Sequence, residues 1–388
     1  MAKNAIPTRK PLYLTFTLML FGFGSISSAR VAFSLYALHF GASASVVGIV
    51  VATLYIFPLF ISWPVGRYAD RVGSRWLLMT GTVVGMCAML IPFFFRAIPA
   101  LYFAGTLLGI SFSLYNVLLQ NLVGVMSKPH ERARNFSNSS LIGATTNFAG
   151  PLLASFAIDH AGPPNACLLL VTLSVAGFIV LAVWGGMLPG GSRHAAGAGG
   201  IRDTLAHGGM VRILATSSLV QVGQDLYQFY IPVYGYRIGL SASAIGGVLA
   251  TFAAASFFVR FIMPYLVAKR SEETVLRYSF LLATIGFMLV PFFEHAAALA
   301  AISFMFGLGM GCGQPITTML IFSRSVEGRS GEILGLRQTV NNLMRVSTPP
   351  LFGLIASAFG LSAVFWISAF MMGGGSVLTQ KPREKSEA

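Results

Sequence analysis

Residues 44–66, ASVVGIVVATLYIFPLFISWPVG, run into RYADRVGSR at 67–75 and then WLLMTGTVVGMCAMLIPFFF at 76–95. Two apolar runs of 23 and 20 residues thus flank a short segment holding Arg67, Asp70, Arg71 and Arg75. A helix needs about 20 mainly apolar residues to cross a hydrocarbon core of ~30 Å. Barrel strands need only ~10 and alternate in polarity. The stretch therefore predicts a helical hairpin through a membrane.

The same pattern recurs along the chain. Twelve spans are predicted at 12–36, 44–66, 76–95, 99–123, 138–159, 165–187, 211–235, 242–266, 275–293, 296–322, 333–358 and 360–379. The first is too long, and too polar at its far end, for a cleaved signal peptide. Of 388 residues, 55% are hydrophobic and 10% charged, with a mean hydropathy of +0.74. A soluble domain carries roughly 25% charged residues, and disorder needs low hydrophobicity with high charge, so both are excluded. The 42 glycines and 18 prolines suit membrane helices. Cys87, Cys167 and Cys312 sit in apolar stretches without paired spacing, so neither a disulfide framework nor a metal site is expected.

The net charge is +14, and its placement explains it. Lys3, Arg9 and Lys10 precede span 1, and Arg67, Arg71 and Arg75 separate spans 2 and 3. Lys128, Arg132 and Arg134 follow span 4; Arg193, Arg202 and Arg212 occupy the stretch before span 7. Lys269, Arg270 and Arg277 follow span 8, Arg324 and Arg329 follow span 10, and Lys381, Arg383 and Lys385 form the tail. The opposite loops hold only Arg96 and Arg237. By the positive-inside rule both termini are expected in the cytoplasm. The positive charge is then topological, and nucleic acid is not an expected partner.

An internal repeat divides the chain. GASASVVGIV at 41–50 matches GLSASAIGGV at 239–248 at six of ten positions, an offset of 198, which also pairs Tyr36 with Tyr234. An offset of 199 pairs Pro151-Leu152 with Pro350-Leu351. The expected organisation is a six-helix bundle over 1–187, a cytoplasmic linker over 188–210 rich in Gly, Ala and bases, and a second six-helix bundle with a short tail over 211–388.

Gly66-Arg67-Tyr68-Ala69-Asp70-Arg71-Val72-Gly73-Ser74-Arg75 resembles the signature loop of the major facilitator superfamily, Gly-x-x-x-Asp-(Arg/Lys)-x-Gly-(Arg/Lys)-(Arg/Lys), departing only at Ser74. His130-Glu131-Arg132-Ala133-Arg134 after span 4 and Glu327-Gly328-Arg329 after span 10 are further echoes. The resemblance covers the whole chain but leaves the subfamily open. It implies an all-α membrane protein of two six-helix bundles related by pseudo-two-fold symmetry. It also implies a secondary transporter working by alternating access, with Asp70 latching the two halves together. Gly66 and Gly73 are expected to permit a tight turn. The partner expected for Asp70 is Arg337 or the positive N-terminus of span 11. The gating set is therefore Gly66, Asp70, Arg71, Gly73, Arg75, Glu131, Arg134 and Arg337, the last close enough to the membrane edge to snorkel. A solvated topogenic loop with no switching role is the plainer alternative.

Four bases, Arg30, Arg260, Arg337 and Arg345, and one acid, Asp225, fall inside spans. A charge at mid-bilayer costs at least ~2.5–3.5 kcal/mol and usually faces a cavity or a partner. Gln221, Gln224, Asp225 and Gln228 make one stripe on span 7, and Asn341, Arg345 and Thr348 another on span 11. Span 4 adds Asn116 and Gln120, and span 10 adds Gln314. These residues, with Arg30, Arg260 and Arg345, form the expected substrate site; for a neutral Gln or Asn alone, interhelical hydrogen bonding is the blander reading. Arg30, Arg260 and Arg345 less Asp225 leave an excess near +2, which suits an organic anion because a guanidinium fork matches carboxylate or phosphate. Positions on spans 8 and 11 resemble those of oxalate–formate exchangers, and a base on span 1 resembles monocarboxylate carriers.

The alternative is a proton-coupled drug or metabolite exporter. Gly105 stands where the exporters' span 4 motif has Arg, and only Gly150-Pro151 survives of their span 5 motif, so the match is weakened. Asp225 is the expected proton carrier. Tyr227, Tyr230 and Tyr234 are expected to contact substrate or anchor the interface, and Phe93-Phe94-Phe95, Phe257-Phe258 and Phe292-Phe293 to face lipid or pack. All six histidines lie in loops or at span edges, no catalytic cluster occurs, and no filter-like loop marks a channel. The expectation is a monomeric, multi-pass carrier in a bacterial inner membrane, with a small-molecule substrate, no cofactor, no metal, and H+ as a candidate coupling ion.

Overall fold

The computed structural model describes residues 10–190, 205, 209–326 and 328–379. Lys3, Arg9, Arg193, Arg202, Glu327, the tail bases and most of the 188–210 linker lie outside the described residues. The described chain is helical almost throughout; a lone bridge between Gly73 and Gly190 is its only β-type pairing.

Among the described residues, nine helices are long and apolar enough to cross a membrane. One of them holds two spans, because Arg132–Trp184 is broken at Gly162, with φ 76° and ψ 160°. Two further long helices, Met210–Arg237 and Ser330–Phe359, fall short of that apolarity. They are spans 7 and 11, which carry the polar stripes, and counting them restores twelve. Large aromatics such as Phe94, Phe258 and Phe292 are exposed on the helices, as a lipid-facing surface requires.

The 198-residue offset extends to structural detail. Gly41 and Gly239 both take positive φ, 72° and 80°, just before the helices of spans 2 and 8. Ser43 and Ser241 then cap those helices, accepting from the amides of Val46 and Ala244. Gly162 and Gly360, at φ 76° and 83°, separate spans 5 from 6 and 11 from 12. A Cβ on Gly109 would lie 2.5 Å from the Leu54 carbonyl oxygen, and one on Gly307 would lie 2.5 Å from that of Phe252. Spans 2 and 4, and spans 8 and 10, therefore touch backbone to backbone at equivalent points. Gly150 likewise admits span 1 against span 5, where an added Cβ would stand 2.6 Å from Ser27 Oγ and 2.9 Å from the Ser28 amide nitrogen. In this register Pro151 pairs with Pro349, whereas Pro350 pairs with it only at the 199 offset, so span 11 carries a proline at each of the two registers.

Two compact units result, Met1–His207 with Ile321–Leu343 and Gly208–Leu320 with Met344–Ala388. The first has a core of buried apolar side chains including Phe33, Tyr36, Leu108 and Met89. The second is built round Tyr227, which stacks on Phe306 at 3.9 Å between ring centres and hydrogen bonds Ser303 Oγ at 2.7 Å. Tyr227 is thus a packing residue, unlike either role expected for it, because the hydroxyl finds a partner inside the core. Tyr234 similarly donates to the Phe293 carbonyl at 3.3 Å.

Candidate functional site

Within the first unit, Asp70 closes the last turn of span 2 against the first turn of span 11. Its Oδ1 accepts from the Gly331 amide at 2.9 Å and its Oδ2 from the Glu332 amide at 2.8 Å. Two otherwise orphaned amides and the positive end of a 30-residue helix meet one carboxylate there. Asn121 on span 4 completes the junction: its Nδ2 donates to Asp70 Oδ1 at 3.4 Å and its Oδ1 accepts from Ser330 Oγ at 2.6 Å. Glu332 accepts from Trp63 Nε1 at 3.3 Å and pairs with Arg329 at 2.8 Å. Of the two partners expected for Asp70, the helix terminus is the one observed.

Gly66 does not form a turn, as was expected; it lies within the span 2 helix, and the turn falls at Gly73, with φ 91°. An added Cβ on Gly66 would collide with the Gly331 carbonyl oxygen, so the missing side chain serves helix approach instead. Arg337 does not snorkel: it is 3% exposed, and one guanidinium N–H donates to Gln120 Oε1 at 3.3 Å. Gln120 Nε2 in turn donates to Asn116 Oδ1 at 2.9 Å, so the expected span 4 pair and Arg337 form one polar chain. Arg71 is exposed, the Arg75 guanidinium lies 5.6 Å from the Trp76 ring centre, and Glu131 pairs with Arg134 at 3.3 Å. Arg30 donates to Tyr55 Oη at 3.4 Å.

Within the second unit, Asp225 and Arg345 form an ion pair, Nε to Oδ2 3.5 Å, both side chains about one-third exposed at 36% and 28%. The Gln221 amide donates to both Asp225 oxygens at 2.8 Å, and Gln314 Nε2 donates to Gln221 Oε1 at 2.8 Å. Three spans thus supply one hydrogen-bonded row, Arg345, Asp225, Gln221 and Gln314. Gln224 leaves the stripe to donate to the Met310 carbonyl at 2.7 Å, and Gln228 is exposed. Arg260 Nε donates to the Gly311 carbonyl at 3.0 Å. Asn341, in the first unit, is 2% exposed, and its Oδ1 has no hydrogen-bond partner among the described residues. Reading the residues alone missed Glu332, Trp63, Asn121 and Ser330. An acid in a helix's first turn beside Ser was the available signal for Glu332 and Ser330.

The sequence matches the family described as Major Facilitator Superfamily over residues 13–349. The chain belongs to this superfamily. It is 23% identical over 367 residues to the uncharacterized MFS-type transporter YuxJ of Bacillus subtilis (strain 168), covering 88% of this chain and 90% of that one. Among solved structures, the human organic anion transporter MFSD10 (TETRAN) aligns with a TM-score of 0.80 at 12% identity, covering 96% of this chain and 99% of that one. The Escherichia coli fucose:proton symporter FucP aligns with a TM-score of 0.79 at 11% identity, covering 95% and 98%. At such identities the structures establish the major facilitator fold. The chain is accordingly a multi-pass membrane transporter and not an enzyme, and transporters of this superfamily need no cofactor.

Proposed function

We propose that this transporter is a secondary carrier moving a small organic anion by alternating access. The observation that carries the reading is the Asp225–Arg345 pair, held inside the spans by Gln221 and yet about one-third exposed. An anionic group competes with Asp225 for the Arg345 guanidinium, whose planar fork suits a carboxylate. The Gln221–Gln314 row offers neutral donors beside it. The spans hold Arg30, Arg260 and Arg345 against one acid, so the positive excess supports the same choice. Arg30, Asn116, Gln120, Gln228 and Asn341 complete the proposed contacts, while Gln224 is committed to the Met310 carbonyl. The organic anion in the name of MFSD10 agrees with this reading.

A second reading is proton-coupled efflux. It is favoured by the same carboxylate, since protonating Asp225 removes the charge that binds Arg345. The symporter among the structural relatives agrees with H+ as coupling ion. In both readings the protein is a monomer in a bacterial inner membrane with both termini cytoplasmic, built as bundles over 1–187 and 211–388. Asp70 is its proposed latch.

Counterflow in proteoliposomes tests the choice. Liposomes preloaded with unlabelled mono- or dicarboxylates should accumulate the labelled compound without an imposed proton gradient, and Arg345→Ala should abolish this. Uptake that needs a proton gradient and ignores anion preload would establish the second reading instead.

A further inference from the structure

Span 10, Ala296–Arg324, is interrupted. It runs as Ala296–Met310 and Gly313–Arg324, with Gly311 and Cys312 between. Pro315 gives the physical cause. Proline has no amide hydrogen, and its ring crowds the carbonyl four residues earlier, which is that of Gly311. Two carbonyls at the interruption accept from side chains of neighbouring spans: Met310 from Gln224 Nε2 at 2.7 Å and Gly311 from Arg260 Nε at 3.0 Å. Arg260 also stands at the negative end of the Ala296–Met310 helix, where a cation is favoured.

The repeat supplies an internal control. At the 198-residue offset Arg260 corresponds to Ser62, Gly311 to Ser113 and Pro315 to Val117. Ser62 and Ser113 hydrogen bond at 2.7 Å, so the same contact between paired spans exists in the first unit without a guanidinium. Span 4 there runs unbroken as Ile98–Met126, and Val117 retains its amide hydrogen. The arginine and the proline occur together in the half where the helix is interrupted, and neither occurs in the half where it is not.

We propose that Arg260, with Gln224, is a positioning residue that caps the carbonyls at the Pro315 interruption of span 10 and so holds Gln314 against Gln221. A guanidinium N–H to a carbonyl is a charge-assisted bond, stronger than the amide bond it replaces. It also gives a costly intramembrane charge a backbone acceptor. This role does not depend on the solute being an anion.

The test is a cycle of Arg260→Met and Pro315→Val in the full-length protein carrying Cys87→Ser and Cys167→Ala. It is read by alkylation of Cys312 with N-ethylmaleimide. Cys312 sits in the interruption, is 1% exposed, and reports fraying there. Arg260→Met should speed alkylation roughly tenfold or more with Pro315 present, the value of about one lost charge-assisted hydrogen bond. It should leave the rate unchanged beside Pro315→Val. Failure of Arg260→Met to insert, with recovery in the double variant, supports the proposal equally. Equal acceleration in both backgrounds, no acceleration in either, or failure to insert in both would overturn it.

Discussion

Asp225 Oδ2 stands 3.5 Å from Arg345 Nε, and the Gln221 amide donates to both oxygens of the same carboxylate. An acid and a base buried in separate spans would each carry an insertion cost; side by side they offset most of it. The pair also makes Arg345 available on exchange, since any competing anion replaces one carboxylate by another.

Asp225→Asn keeps the shape but removes the charge facing Arg345. Breaking a fully buried pair costs 3–5 kcal/mol, and the partial exposure here reduces this to about 1–2 kcal/mol. Arg345→Gln should cost the same, and the double variant should recover about 1 kcal/mol relative to the sum. Thermal unfolding in detergent measures all three. Strict additivity would show that the two side chains do not interact.

Asp70→Asn retains an acceptor oxygen but loses the charge that meets the helix dipole. The expected result is normal insertion, a stability loss of about 0.5–2 kcal/mol and a transport rate about tenfold lower, the equivalent of 1.4 kcal/mol on the barrier. Quantitative immunoblotting alongside initial-rate uptake separates insertion from turnover. Unchanged uptake would reduce the loop to a topogenic role.

The spans were legible because apolar runs of this length have one physical solution, and the matched stretches that begin at Gly41 and Gly239 carry the repeat in the sequence itself. Asp70 was legible as a charge at a helix end. Its neighbours were not, because Trp63, Asn121 and Glu332 are separated from it or from one another by long stretches of chain and meet only through packing. Gly66 was misread as a turn residue because a glycine near a loop looks the same in sequence whether it bends the chain or admits a second helix. Arg337 was placed at the membrane edge because depth along a helix can be counted, whereas the presence of Gln120 beside it cannot.

Small-to-large changes at the junction of spans 2 and 11 should separate contact glycines from incidental ones. A Cβ on Gly331 would lie 2.6 Å from Asp70 Oδ1 and 2.8 Å from the Gly66 carbonyl oxygen. Gly331→Ala and Gly66→Ala should each cost about 1–3 kcal/mol as overpacking. Gly143→Ala, whose Cβ meets nothing within 4 Å, should be neutral or stabilising by up to ~1 kcal/mol. Equal effects at all three, by thermal unfolding, would mean that the approach at Gly331 and Gly66 relaxes freely.

The asymmetry of the bases predicts orientation. Arg96 and Arg237 lie at span ends opposite in chain order to those holding Arg67, Lys128 and Arg270, and an excess of Lys and Arg in short connections and flanking turns marks the cytoplasmic side. Single cysteines at Ala97 and at the exposed Tyr236, in a background free of the three native cysteines, should react with a membrane-impermeant maleimide added to intact cells. Cysteines at Lys128 and Arg270 should react only after permeabilisation. The reverse pattern would place both termini outside. The proposed latch at Asp70 would then close the opposite face of the carrier, although the geometry around Gly331 would stand.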